Sequence, residues 1–244
     1  MAFQTIFKRY ELKYILTLEQ KKIIQEALMN YMIPDKYGKT VIRNIYYDTD
    51  NYLLVRRSIE KPIYKEKLRV RSYCRASDDS TVFVELKKKY NSVVYKRRLS
   101  LTNKEAQDWL SGRAEIKEHT QISDEIDYFL SFYNTLHANV FLSYEREAFY
   151  SKESADFRVT FDSSIFCRQN DLSLDSDVYG TPILPKDKVL MEIKCGGGIP
   201  LWMTELLSKE RIYKTSFSKY GTAYKTLIFP QTHKTNLYKM QEVS

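Results

Sequence analysis

Residues 65–75 read KEKLRVRSYCR. Successive side chains of a strand leave opposite faces, so Lys67, Arg69, Arg71 and Tyr73 share one side, and Leu68, Val70, Ser72 and Cys74 the other. One such strand is ordinary, with its apolar side on a core and its charged side in water. The neighbouring stretches decide the matter. TVFVELKKK (81–89) sets Val82, Val84 and Leu86 against Phe83, Glu85, Lys87 and Lys89. VVYKRRLSL (93–101) sets Val93, Tyr95, Leu99 and Leu101 against Val94, Lys96, Arg98 and Ser100, with Arg97 falling on the apolar side. FRVTFD (157–162), KVLMEIK (188–194) and RYELKYIL (9–16) repeat the pattern, their charged sides carrying Arg158 and Asp162, Glu192 and Lys194, and Glu11 and Lys13.

Six strands therefore pair an apolar face with one rich in Arg, Lys and Glu. Guanidinium and ammonium groups match phosphate oxygens, whereas a merely wet sheet face more often carries Thr, Ser and Gln among its charges. The apolar faces need helices over them, leaving the charged faces toward each other or toward water. A closed antiparallel sheet would enclose the charged faces in a polar tunnel. Bunched cations cost several kcal/mol each when desolvated without partners, a cost that glutamates, water and a bound polyanion offset.

The other elements follow from local signals. Thr17 with Gln20 forms a capping-box pair ahead of a helix over 17–32, with Leu18, Ile24, Ala27, Leu28 and Tyr31 as its apolar stripe. TVIRNIYYDT (40–49) reads as a strand and Asn51–Ser58 as a short helix. Polar turns at Ser77–Ser80 and Tyr90–Ser92 join three consecutive strands. Asn103 caps a helix ending near Gly112, and Ser123 caps another running to about His137. Strands return over 138–151, 157–168 and 188–195, followed by helix from Pro200 to about Leu227, broken near Ser216–Ser218. Strand runs interrupted by helices, without regular βαβ alternation, give an α+β fold with a mainly antiparallel sheet. No linker or repeat divides the chain, so the expectation is one domain over 1–230 and a polar C-terminal tail over 231–244.

In 244 residues, Lys plus Arg number 39 and Asp plus Glu 31, a net charge of +8 that points to an anionic partner. Three scattered cysteines, Cys74, Cys167 and Cys195, form neither a zinc pattern nor a disulfide framework, consistent with a reducing cytoplasm. The first residues meet charge early and lack a secretory apolar core, and no apolar run approaches the ~20 residues of a spanning helix. Peripheral association with a membrane partner stays compatible with this.

Seven stretches in order, RYELKY, KLRVRSY, FVELKKK, SYEREAFY, RVTFD, LMEIKC and FSKYGTAY, resemble the VTC domain, the polyphosphate polymerase domain of the CYTH/triphosphate tunnel metalloenzyme superfamily. The resemblance runs from about Arg9 to Tyr224. It implies an eight-stranded antiparallel tunnel with helices on its outside. It also implies transfer of the ATP γ-phosphate onto inorganic polyphosphate, with Mn²⁺ or Mg²⁺. By position, Lys13, Arg69, Arg71, Lys87, Arg146 and Arg158 fall where the family has its phosphate-binding basic residues, and Glu192 where it has the metal-binding carboxylate. Lys219, in SKY, matches a basic residue on the helix that caps the tunnel. Lys96 or its face-mate Arg98, Tyr144 beside Arg146, and Lys194 beside Glu192 complete the phosphate-binding set. Glu11 and Glu85 are further metal ligands or counter-ions of the lysines.

The hydrolytic branch of the superfamily opens with Glu-x-Glu-x-Lys, and here that stretch is Arg9-Tyr10-Glu11-Leu12-Lys13. Losing the first acid tilts the reading away from a triphosphatase. Transfer to a phosphate end needs no general base, because the attacking oxygen is already ionised; it needs cations against charge repulsion. A hydrolase would need more carboxylates to hold a second metal and position water. The alternatives are thus a tunnel triphosphatase and a non-catalytic module binding polyphosphate or nucleic acid. Nucleic acid is not expected, since the cations alternate on strands rather than interleave with an exposed aromatic platform. Gly196–Gly198 lacks the lysine and spacing of a phosphate loop. His119, His137 and His233 are scattered and are assigned no role.

Overall fold

A computed structural model of the chain describes residues 10–60, 62–91 and 93–231. In chain order the elements are β1 (Tyr10–Thr17), α1 (Leu18–Tyr31), β2 (Met32–Pro34), β3 (Thr40–Asp48), α2 (Leu53–Ile59), β4 (Tyr64–Ser72), β5 (Thr81–Tyr90), β6 (Val93–Thr102) and α3 (Asn103–Leu110). There follow α4 (Gln121–Phe132), β7 (His137–Ser151), β8 (Arg158–Arg168), β9 (Thr181–Pro182), β10 (Lys188–Cys195), α5 (Leu201–Lys209), β11 (Lys214–Thr215), α6 (Lys219–Ala223) and a π-helical turn, Tyr224–Ile228. Of these strands β2, β9 and β11 have two or three residues. The other eight are the long strands that the eight-stranded expectation anticipates. The fold is α+β and antiparallel. No helix among the described residues is long and apolar enough to cross a membrane. The expected polar tail lies, beyond Gln231, outside the described residues, as do Arg9 and His233.

The residues gather into two compact units. Among the described residues, the first comprises 10–41, Tyr144–Ile165 and Leu184–Phe217. Its strands run β11-β1-β10-β8-β7, with β2 also on β7. Tyr14, Leu16, Val159, Phe161, Met191 and Ile193 turn to one side, where Ile24 and Leu28 of α1 and Met203 and Leu207 of α5 complete the core. Thr17 caps α1 in the expected box with Gln20. Leu18 and Tyr31 of the expected stripe are exposed, and Tyr31 stacks on Trp202 with ring centroids 4.2 Å apart.

The second unit comprises, among the described residues, Ile42–Ser143, Phe166–Ile183 and 218–231. Its strands run β7-β3-β4-β5-β6. Leu68 and Val70 of β4 and Val82, Val84 and Leu86 of β5 meet Ala106 and Trp109 of α3 and Ile126 and Phe129 of α4. Arg97, the cation on the apolar side of β6, is taken up by Glu125 of α4, with Nε 3.1 Å from each carboxylate oxygen. Tyr90 pairs with Val93, so the β5–β6 hairpin turns over two residues. Asn91 adopts φ 43° there, a left-handed conformation that asparagine tolerates.

Two helix starts differ from expectation. Thr102, not Asn103, caps α3, in a capping box with Glu105; Thr120, not Ser123, caps α4, which stops at Phe132. In both cases a threonine three residues ahead of a side-chain acceptor satisfies two orphan N–H groups at once, and this outcompetes the later candidate. His137, expected as the helix end, opens β7.

Candidate active site

In the second unit, register places charged residues in rows across β4, β5 and β6. Lys67, Lys87 and Lys96 form one row; Arg69, Glu85 and Arg98 the next; Arg71, Phe83 and Ser100 the third. These rows hold six basic residues and a single carboxylate. Glu85 is 1% exposed. Its Oε2 accepts from Arg69 Nε at 2.8 Å and lies 3.9 Å from Arg71 Nε. Its Oε1 accepts from Arg98 Nε at 2.8 Å and lies 2.7 Å from Lys96 Nζ. β3 supplies the far wall of each arginine: Tyr46 Oη accepts from Arg69 Nη1 at 2.9 Å, and Asn44 Oδ1 from Arg71 Nε at 3.0 Å.

The electrostatics follow from that packing. Burial pushes the Glu85 carboxyl up, but Arg69, Arg71 and Lys96 more than reverse it and hold the group well below the usual carboxylate range. Burial likewise raises the Tyr46 phenol, and Arg69, Arg71 and Lys219 bring it below its ordinary value. Tyr73 is lowered in the same way: burial opposes the shift, while Arg71 and Arg98 prevail. Lys96 is lowered by burial, with Glu85 pulling against it. The face is strongly positive, even around its own carboxylate.

Ser218 caps α6, its Oγ accepting from Gly221 N at 3.2 Å and from Lys67 Nζ at 3.2 Å. The helix start that carries Lys219 is thereby tied to the first row.

The first unit holds a different cluster. Register aligns Glu11, Lys194 and Arg158 in one row, Lys13, Glu192 and Thr160 in a second, and Ile15, Leu190 and Asp162 in a third. From β7, Arg146 donates Nε to Asp162 Oδ1 at 2.6 Å and Nη2 to Asp162 Oδ2 at 2.6 Å, and reaches Glu192 Oε2 at 3.1 Å. Burial alone would lower the Arg146 guanidinium, yet Tyr144, Asp162 and Glu192 raise it well above its ordinary value. Its carbon sits 5.1 Å from the centre of the Tyr144 ring. Lys13 Nζ lies 3.2 Å from Glu11 Oε1 and 3.5 Å from Glu192 Oε1, and donates to the Phe217 carbonyl at 2.8 Å. Arg158 lies 4.7 Å from the Tyr150 ring centre.

Thus Lys13, Glu11, Glu192, Lys194, Tyr144, Arg146 and Arg158 belong to one cluster, and Arg69, Arg71, Glu85, Lys87, Lys96, Arg98 and Lys219 to the other. Three contributors escaped sequence reasoning as site residues: Asn44, Tyr46 and Asp162. Parity already put Lys67 and Asp162 on charged faces; β3 carries no clean alternation that would have singled out Asn44 or Tyr46. His119, assigned no role, comes within 4.8 Å of Asp124 and Asp127 by its ligand atoms. Two of those three residues are exposed, and Asp127 already accepts from Trp109 Nε1 at 2.7 Å.

A family model described as the VTC domain matches residues 8–228. No curated protein matches the chain in sequence. Among solved structures, a candidate adenylate cyclase from Bacillus halodurans is 15% identical, and the match covers 87% of this chain and 94% of that one with a TM-score of 0.53. A candidate adenylyl cyclase from Hippeastrum, described as revealing a dominant triphosphatase activity, is 14% identical over 88% of this chain and 94% of its own, with a TM-score of 0.54. At these identities the likeness establishes the fold class, α+β of the triphosphate-tunnel type, and nothing finer.

Proposed function

This chain is a member of the VTC domain family, and on that premise we propose that it transfers the γ-phosphate of ATP onto the end of an inorganic polyphosphate chain. The observation that carries the reading is the triple row of β4, β5 and β6, in which six cations share the rows with one buried carboxylate. Cations gathered in rows match an anion that carries charge along its length, as a chain of phosphates does. Glu85 organises the cations. Its oxygens already face guanidinium and ammonium groups, and a divalent ion would enter against four positive charges.

Mn²⁺ or Mg²⁺ fits the other cluster. Its candidate donors, Glu192, Glu11, Asp162 and Thr160, are all oxygens, as both ions prefer. Thr160 Oγ1 is buried without a hydrogen-bond partner, an orphan beside Glu192 in register. Glu192 would hold the ion, with Glu11 and Thr160 next to it. Bound there, the ion would supply charge neutralisation to phosphate oxygens. Arg146 and Lys13 orient Glu192 from either side. Arg69, Arg71 and Arg98 hold non-bridging oxygens, and Lys67, Lys87 and Lys96 lower the repulsion between two anionic chains. No residue need remove a proton, because the attacking phosphate oxygen is already ionised. The three cysteines are free, in accord with a cytoplasmic setting.

A second reading, hydrolysis of a triphosphate, is favoured by the gathering of three carboxylates, Glu11, Asp162 and Glu192, in the first unit. One experiment separates the two. Purified protein is incubated with ATP and Mn²⁺, with and without a short polyphosphate primer, and the products are resolved on a gel stained for polyphosphate while free phosphate is assayed. A ladder with matching ADP supports the polymerase. Free phosphate without chains moves the assignment to a triphosphatase, and tight polyphosphate binding without either product makes the chain a binding module.

A further inference from the structure

Lys219 opens α6, whose five residues run on without a break into the π-helical turn Tyr224–Ile228, so where it sits depends on what this segment packs against. The residue after it does the holding. Tyr220 is 2% exposed. Its ring stacks on that of Tyr46, with centroids 4.7 Å apart and planes 21° from parallel. Its hydroxyl donates to Asp48 Oδ2 at 2.8 Å. Asp48 is itself fully buried at the end of β3, where its carboxylate also accepts the backbone N–H groups of Thr49, Leu54 and Val55 and so caps α2.

The other face of the stack leads straight to the basic rows, since Tyr46 accepts from Arg69. The contact between α6 and α2 is close: a Cβ on Gly221 would lie 3.2 Å from Ser218 Oγ and 3.5 Å from Ile59. Lys219 is therefore flanked by two anchors. Ser218 is held by Lys67, and Tyr220 by Asp48 and Tyr46. Lys219 thus follows a residue bonded to Lys67 and precedes one stacked on Tyr46, and it is among the cations that hold the Tyr46 phenol below its ordinary value.

We propose that Tyr220, clamped between Asp48 and Tyr46, is a positioning residue that sets Lys219 beside the Arg69–Glu85 row, so that a bound phosphate chain is gripped by a lysine the strands do not supply. This rests on reading the rows as a phosphate site.

The test is a double-mutant cycle on the full chain, with inorganic tripolyphosphate titrated by calorimetry and folding followed by circular dichroism. Lys219→Ala weakens binding about tenfold, the size of one charge-assisted hydrogen bond. Tyr220→Phe keeps the stack, loses the bond to Asp48, and weakens binding severalfold. The double variant binds no more weakly than Lys219→Ala alone, because nothing remains to be positioned. A purely structural tyrosine would give additive losses, and additivity, or a Tyr220→Phe protein that binds like wild type, overturns the inference. Should Tyr220→Phe fail to fold, Asp48→Asn replaces it in the same cycle under the same criterion. Wild-type protein without affinity for tripolyphosphate would overturn the phosphate reading, and the inference with it.

Discussion

Replacing Glu85 with Gln removes one charge and almost no volume from the centre of the basic rows. Taking one partner out of a buried ion cluster costs about 3–5 kcal/mol, because the remaining charges lose their compensation. Here the lower end applies. The side chain of Arg71 is 9% exposed and that of Arg69 21%, but those of Lys96 and Arg98 are 41% and 36% exposed and can turn to water. A loss of about 3 kcal/mol in a chain of this size lowers the melting temperature by roughly 6–12 °C. Tripolyphosphate at a hundredfold its dissociation constant adds about 2.7 kcal/mol to wild type. It adds more to Glu85→Gln, whose site is one charge more positive, so the gap in melting temperature narrows with ligand. The pH dependence is fixed in sign. The folded Glu85 carboxyl is depressed, so its contribution is whole above the unfolded value of about 4.3 and drains away as pH falls toward the folded one. The difference between wild type and variant is therefore flat from about pH 5 to 8 and shrinks below about 4. A variant as stable as wild type without ligand, or a gap that tripolyphosphate leaves unchanged, refutes the view that these rows bind a polyanion around Glu85.

Arg69→Ala is expected to lower ATP-dependent polyphosphate formation at least about a hundredfold, the scale of one charge-stabilising donor, while circular dichroism stays native; near-wild-type turnover would remove β4 from the site. Thr160→Val, close in shape to threonine, is expected to weaken Mn²⁺ binding, followed by electron paramagnetic resonance, by about tenfold with little change in melting temperature. Unchanged Mn²⁺ affinity would show that the orphaned hydroxyl has no part in holding the ion. Asp162→Asn leaves the buried Arg146 with Glu192 as its remaining carboxylate partner of the two. It is expected to cost about 3 kcal/mol in urea denaturation, and a shift under about 1 kcal/mol would mean that Arg146 is held without it.

The faces of β1, β4, β5, β8 and β10 were legible because a period of two is written directly into the order of residues. Leu68, Val84, Val159 and Met191 pack inward and Arg69, Glu85, Thr160 and Glu192 lie opposite, as alternation requires. β3 was not legible in the same way. Ile42, Asn44, Ile45, Tyr46, Tyr47 and Asp48 are all buried, so the strand carries no polar–apolar contrast, and the hydrogen bonds of Asn44 and Tyr46 to Arg71 and Arg69 depend on which strand lies next to β4. Asp162 was placed on the right face by parity, but its bidentate bond to Arg146 comes from another strand, and spacing along the chain holds no trace of it. The helix caps show a subtler failure. Asn103 and Ser123 are good capping residues in isolation, and each lost to a threonine whose reciprocal bond only the three-residue pairing reveals.

The balance of acids and bases in each cluster bears on the choice between transfer to phosphate and transfer to water. A hydrolase of this kind needs carboxylate lone pairs free to hold metal and to orient a water. In the first unit each of those carboxylates already faces a cation. Both oxygens of Asp162 accept from Arg146, those of Glu192 face Lys13 and Arg146, and Glu11 faces Lys13. Glu192 and the unsatisfied Thr160 hydroxyl would hold one ion, whereas a second would compete with Arg146, its side chain 12% exposed, for the same carboxylates. The six cations of the second unit's rows cannot take a proton from an attacking water, though they would stabilise the transferred phosphoryl group whichever acceptor attacks. They do stabilise an acceptor that arrives already ionised. A polyphosphate end is such an acceptor, and the scarcity of free carboxylates, which handicaps hydrolysis, costs its phosphorylation nothing.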